Sequence, residues 1–490
     1  MMPKFAIIPL TLRMTKTDIH TSTRRLLIAL SRLIVLCGLA TGQPALAEGL
    51  PAPVASALKE AGIPLKSVAV LVHGTDEAAP LISHNARAPM NPASVMKLLT
   101  TYAALEILGP AHTWKTEALA DRPLVDGRLN GDLYLRGSGD PRLALEQFWL
   151  FLRQLRARGV REIEGDLVLD RGAFSLPPHD PAEFDSEPLR PYNAGPDALM
   201  INLKSLSFTL RPDNENARIE VWPETPGVDR LMRNLLTPGS GSCGDWRERL
   251  KIELEGEIIV FRGVYPTSCG DKALNLSPWA ADFQTERLFR ALWQELGGTW
   301  RGQVRNGFVP AGARVLAVHE SPALGEIVRE INKFSNNVMA RQVFLTLDAA
   351  RPATPEGARR AVRAWLSGKG LVLPELALDN GSGLSRKERV SAESLARLLL
   401  AAWQSPVMPE LISSLPLAGI DGTLQKRLTG HQAAGRAHMK TGYLGNVRAL
   451  AGYAIDNTGK RWIVVFLIND PRSLSGKPAM DALLRWLMER

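Results

Sequence analysis

The sequence predicts an α+β protein, and three stretches carry that prediction. Near the start, the β-branched run Ser67–Gly74 and a second strand pattern at Leu81–Ser83 lead into a long apolar helix after Asn91. From about residue 119 to 277 short strand patterns dominate, set between loops dense in Pro, Gly and Asp. Helical periodicity resumes at Trp279–Leu296 and continues to Trp403, after which three strand patterns and a terminal helix close the chain. At 490 residues, with 45% hydrophobic and 22% charged, the chain is long enough for two or three domains with their own cores.

Residues 1–47 differ in kind. Arg24, Arg25 and Arg32 precede the apolar run Leu33–Ala40, and Ala45-Leu46-Ala47 offers small residues for cleavage, the pattern of a secretory signal peptide cut before Glu48. That run is too short to span a bilayer and no later stretch approaches the required length, so no transmembrane anchor is expected after cleavage. The segment carries six Lys or Arg and one Asp, so its removal takes the formal charge from +9 to +4. A surplus this small and scattered argues against a nucleic-acid surface, though it favours approach to an anionic envelope polymer. Cys243 and Cys269 are then the remaining cysteines. An oxidising compartment would join them in one disulfide; a buried pair of free thiols is the alternative.

Taken in order, a short helix through Ser56–Lys59 precedes the first strands. The helix after Asn91 is expected to be continuous to Leu108, with Asn91 as its cap, Pro92 at its first position and Gly109-Pro110 as its stop. Its all-round apolar character predicts burial. Ser94 and Lys97 are three apart and share one helical face. A serine hydroxyl attacks only when something takes its proton, and a lysine does so only when neutral; burial and a second cation both push its pKa down. Ser-x-x-Lys alone is weak evidence, since Ser56 and Lys59 repeat it.

In the middle stretch, strand patterns at Asp132–Arg136 and Gly165–Asp170 flank an amphipathic helix near Phe148–Arg158. Others follow at Leu206–Leu210, Arg218–Trp222 and Lys251–Arg262. Gly239–Gly244 matches a dinucleotide fingerprint literally, but no strand precedes it and no acidic residue follows at the required distance. Further helices are expected from Ser321 to Phe334 and at Val338–Leu347, Gly357–Ser367 and Ser391–Trp403. The Ser335-Asn336-Asn337 loop lies between the first two and the Gly-rich loop Asp379–Ser385 between the last two. The closing strands are His438–Leu444, Ala449–Ile455 and Trp462–Ile468, followed by a helix from Pro478 to Arg490. Asp140 in Gly137–Asp140 reads as turn chemistry, and His438 receives no role.

Ser94-x-x-Lys97, Ser335-x-Asn337 and Lys440-Thr441-Gly442 occur in the order found in penicillin-recognising serine enzymes. Ser83-His84-Asn85 also fits the second pattern but precedes Ser94. The long interval from Ser94 to Ser335 resembles the D-alanyl-D-alanine carboxypeptidase/endopeptidases of peptidase family S13, the class C low-molecular-mass penicillin-binding proteins. Tyr192–Leu199, Lys333–Asn337, Asp379–Arg386 and Gly422-Thr423-Leu424 are similar to segments of that family. The chain departs from it at Asn336, where Asp is common, and at Tyr443, where Ser or Thr is usual.

The resemblance implies a transpeptidase-like catalytic domain, an antiparallel sheet with helices, formed by residues 48–118 and 278–490 and interrupted by a two-part insertion at 119–277. It implies Ser94 as nucleophile, Lys97 as base and Ser335 as proton relay. Asn337 would contact the substrate backbone while fixing Lys97, and Lys440 and Thr441 would hold the substrate carboxylate. Gly442 would admit an extended peptide, with the Ser94 and Tyr443 N–H groups as oxyanion hole. Asp185, Glu187 and Tyr192 fall where the family contacts its substrate; a solvated acidic loop is the competing reading. The expected substrates are peptidoglycan stem peptides and the expected covalent inhibitors β-lactams, in the periplasm, with no metal or organic cofactor. A β-lactamase or esterase on the same scaffold, and a non-catalytic cell-wall scaffolding protein, are the alternatives.

Overall fold

A short helix, two strands and a buried helix open the described chain, in the order their sequence patterns predict. In this computed structural model residues 49–490 are described, and the expected signal peptide lies outside them. Helix α1 (Ala52–Glu60) leads to strand β1 (Val68–Gly74) and the short β2 (Ile82–His84), paired antiparallel with Leu71 opposite Ser83. The helix expected from Pro92 to Leu108 is corrected to a 3-10 turn, Ala93–Met96, followed by α2 (Lys97–Ile107). Ala93 enters that turn at φ +46°. The Asn91 side chain accepts from the Ala93 N–H at 2.8 Å while its own amide donates to the Ser385 carbonyl at 2.8 Å. Its backbone N–H donates to Asn469 at 2.8 Å. Tertiary hydrogen bonds, which a capping rule does not contain, set this turn.

The middle of the chain builds four sheets. Strands β3 (Lys115–Ala120), β4 (Leu124–Val125), β5 (Arg128–Leu129) and β6 (Leu133–Gly137) precede α3 (Leu145–Ala157), β7 (Glu162–Ile163) and β8 (Leu167–Asp170). Next come β9 (Leu206–Asp213), β10 (Arg218–Pro223), β11 (Met232–Gly239), β12 (Leu250–Glu255), β13 (Ile258–Pro266) and β14 (Lys272–Leu276). They form two three-stranded sheets, β10-β9-β14 and β11-β13-β12, around Phe208, Phe261 and Tyr265. Cys243 and Cys269 form a disulfide at their margin. The stretch Lys251–Arg262 is a hairpin of β12 and β13, broken at Gly256, which takes φ +64°.

Helix α4 (Ala281–Glu295) and strands β15 (Thr299–Trp300), β16 (Val304–Asn306) and β17 (Arg314–Glu320) differ from their expected placement. β15 pairs with β7, β16 with β8, and β17 runs antiparallel to β3. Leu288, Phe289 and Trp293 of α4 pack against Phe148 and Phe151 of α3. Pairing therefore groups Lys115–Glu320, where the boundaries of 119 and 277 were expected. An amphipathic helix has an apolar face but does not say which sheet will cover it.

The return segment supplies α5 (Leu324–Phe334), α6 (Asn337–Thr346), α7 (Pro355–Gly368), α8 (Ala392–Trp403) and α9 (Met408–Ser414). Strands β18 (Ala437–Leu444), β19 (Val447–Ile455) and β20 (Arg461–Asn469) and helix α10 (Lys477–Met488) complete it. A five-stranded sheet in the order β18-β19-β20-β1-β2 joins the two ends of the described chain. Strand alternation sends Ala69, Leu71, Ile463, Val465 and Leu467 toward α2 and α5–α8. Val68, Val70, Val464 and Phe466 face α1 and α10. Both faces are covered, which explains the unbroken apolar run of β20.

Candidate active site

Ser94 projects from the 3-10 turn, and Lys97, one turn on, is fully buried. The Lys97 ammonium donates to Ser94 Oγ at 3.0 Å, to Asn337 Oδ1 at 2.6 Å and to the Ser382 carbonyl. Burial, then the nearby Lys440 charge, holds its pKa well below the ordinary lysine value; Glu388 opposes the shift and Arg341 adds to it. A lysine so depressed has an accessible neutral form whose lone pair can accept the Ser94 proton.

Ser335 ends α5 in the left-handed region, at φ +59°, the bend that turns the chain into α6. Asn336 caps α6, accepting from the Met339 N–H at 3.1 Å, a task for which Asn and Asp are equivalent. The first residue of that helix is Asn337, which reaches Lys97. Lys440 is fully buried and donates to Ser335 Oγ and to the Thr441 carbonyl, each at 2.8 Å. Burial pushes it down to about 7.

β18 is the edge strand, covered at Ala437–Met439 by hydrogen bonds with Pro416–Ala418. Gly442 lets it lie against the Ser94 turn: a Cβ there would stand 2.7 Å from the Pro92 carbonyl. Tyr443 follows, half exposed, with the Arg448 guanidinium 5.1 Å from its ring centre. The Thr441 hydroxyl hydrogen-bonds that of Thr423 at 2.7 Å. Across this cluster a serine hydroxyl on a lysine of lowered pKa, a second hydroxyl on a lysine and an open strand edge converge, residue types suited to acyl transfer from an extended peptide.

The acidic-loop residues are placed differently. Asp185 accepts from Tyr192 Oη at 2.8 Å and Asn193 Nδ2 at 2.7 Å, and Glu187 pairs with Arg190 at 3.2 Å. Tyr192 lines a cavity of about 410 Å³ that reaches Phe334, Ser335 and Asn337; Asp185 and Glu187 do not line it. The Ser382 carbonyl and Thr423 escaped the sequence reading as functional groups. Their segments resemble the family's, but no spacing rule identifies which atom of a loop points at Lys97.

Residues 50–490 match the model of the D-Ala-D-Ala carboxypeptidase 3 (S13) family. A D-alanyl-D-alanine carboxypeptidase of Actinomadura sp. (strain R39) is 31% identical over 405 residues, 78% of this chain and 74% of that protein. One from Haemophilus influenzae is 26% identical over 404 residues, 79% of this chain and 82% of that protein. Penicillin-binding protein 4 of Haemophilus influenzae has the same fold, with a TM-score of 0.74 at 23% identity, covering 89% of this chain and 98% of its own. A predatory endopeptidase of Bdellovibrio bacteriovorus, solved acylated by penicillin G, gives 0.52 at 15% identity, covering 86% and 93%.

Proposed function

The chain belongs to the D-Ala-D-Ala carboxypeptidase 3 (S13) family, and from that premise we propose that it is a serine peptidase of peptidoglycan acting through a Ser94 acyl-enzyme. The observation that carries this reading is Lys97, buried and bonded to both Ser94 and Asn337. Neutral Lys97 takes the Ser94 proton as Oγ bonds to the carbonyl carbon of the penultimate D-alanine. The Ser94 and Tyr443 N–H groups receive the oxyanion. The C–N bond then breaks, and Ser335, oriented by Lys440, passes a proton to the departing amine.

A terminal D-alanine leaves in the carboxypeptidase reaction, and the amine of a cross-linked stem in the endopeptidase reaction. Water then releases the acyl group. A β-lactam presents the same carbonyl to Ser94, but its leaving nitrogen stays tethered and the acyl-enzyme persists. Thr441 and Thr423 supply hydroxyls to a substrate carboxylate, and the uncovered part of β18 takes the peptide by strand addition. Tyr192, whose proton is given to Asp185, adds an accepting hydroxyl oxygen beside the site. Periplasmic residence is supported by the pattern of residues 1–47 and by the disulfide, which needs an oxidising compartment. Among the described residues no helix is long and apolar enough to cross a membrane.

Mass spectrometry of the mature protein after incubation with benzylpenicillin, beside Ser94→Ala, tests this reading. The expected result is one stable adduct on Ser94, absent from the variant. Absence of both adduct and penicillin hydrolysis would overturn the enzyme; rapid hydrolysis without an adduct would make it a β-lactamase.

A further inference from the structure

Glu388 belongs to none of the three motifs, yet it is fully buried behind the loop that reaches Lys97. Its Oε1 accepts from three successive backbone N–H groups, Asp379 at 3.4 Å, Asn380 at 3.3 Å and Gly381 at 3.1 Å. Its Oε2 is buried without a hydrogen-bond partner among the described residues. Beyond this turn, Thr100 donates to the Gly381 carbonyl at 2.6 Å, and Asn380 accepts from the Ser382 N–H at 3.0 Å. The Ser382 carbonyl is thereby presented to Lys97. Gly383 completes the contact: a Cβ there would stand 2.0 Å from the Ala93 carbonyl, so loop and nucleophile turn touch directly.

The charges facing Glu388 come from three elements. Asp379 shares its loop, with one oxygen engaged by Ser385 Oγ at 2.7 Å. Lys97 faces it from α2, and Arg341, which donates to the Ala194 carbonyl at 2.9 Å, faces it from α6. We propose that Glu388 is a positioning residue for acylation: it fixes the Asp379–Gly381 turn so that the Ser382 carbonyl meets Lys97, and its charge balances Lys97 in the resting enzyme. Burial, then the Asp379 charge, pushes the Glu388 carboxyl up to about 7, so its own ionisation falls within the working range of a lysine base. Loss of that negative charge lowers the pKa of Lys97 and makes its neutral form accessible at lower pH.

The inference rests on Lys97 being the base for Ser94. Its test is the second-order rate of acylation by a fluorescent penicillin, followed across about pH 5 to 10, with thermal unfolding of each variant. Glu388→Ala, which removes both acceptor and charge, is expected to lose about tenfold or more in rate per folded molecule. Glu388→Gln keeps an accepting oxygen. It is expected to hold its optimum rate within about threefold while the acidic limb of its profile moves to lower pH by about one unit. A Gln profile superimposable on the wild type overturns the proposal, and so does an Ala variant that melts earlier but acylates at the wild-type rate. Should the Ala variant not fold, the Gln profile decides. A wild type no more reactive than Ser94→Ala would instead overturn the reading of Ser94 itself.

Discussion

Gly442 shows how one missing side chain sets the site. The Cβ of an alanine there would meet the Pro92 carbonyl at 2.7 Å and the Ala93 Cβ at 3.1 Å, both on the turn that presents Ser94. Gly442→Ala is expected to push the edge strand from that turn, cost about 1–3 kcal/mol of stability and slow acylation at least about tenfold. Thermal unfolding and the penicillin acylation rate check the two effects separately. At the same scale the spacing of Ser94 and Lys97 was legible, because three residues along a helical turn decide whether two side chains meet. Asn337, 240 residues away, was reached only through the second motif of the family the chain resembles, and the Ser382 carbonyl, 285 residues away, was not legible at all.

At the scale of elements, an ion pair ties the α5–α6 junction to the loop before β18. Lys333 is buried and donates to both Asp421 oxygens, at 2.8 and 2.6 Å, while Asp421 also accepts from the Leu417 N–H at 2.8 Å. Burial alone would raise the Asp421 carboxyl; Lys333 and the Leu417 N–H hold it below its ordinary value instead. Such a group adds stability above its unfolded pKa of about 3.9, and that stability is lost as pH falls through the depressed folded value. Asp421→Asn is therefore expected to cost about 1 kcal/mol at neutral pH, the carboxylate being partly screened by solvent, and nothing in strong acid. Urea titrations at the two pH values measure it. The element patterns gave helix existence well, whereas the left-handed Ala93 turn arose from bonds to Ser385 and Asn469, remote in sequence.

Across the whole molecule, the disulfide and the Ser94 cluster sit in different cores. Cys243 and Cys269 are 26 residues apart and pack with Phe208 and Phe261, whereas α2 packs with α5–α8. The double variant Cys243→Ser, Cys269→Ser is expected to lose about 3 kcal/mol of stability in that part of the chain while keeping its acylation rate per folded molecule. Calorimetry and adduct formation on the same sample test both halves. The α+β class, the order of the three motifs and the residue types available for acyl transfer follow from the amino-acid sequence alone, because helical spacing and strand alternation are local. Contacts made in the folded chain alone brought α4 and β15–β17 to the inserted sheets, set Lys440 on Ser335, and buried both Lys97 and Glu388. Those outcomes depend on desolvation and on contacts between residues hundreds apart, and neither is a property of a sequence window.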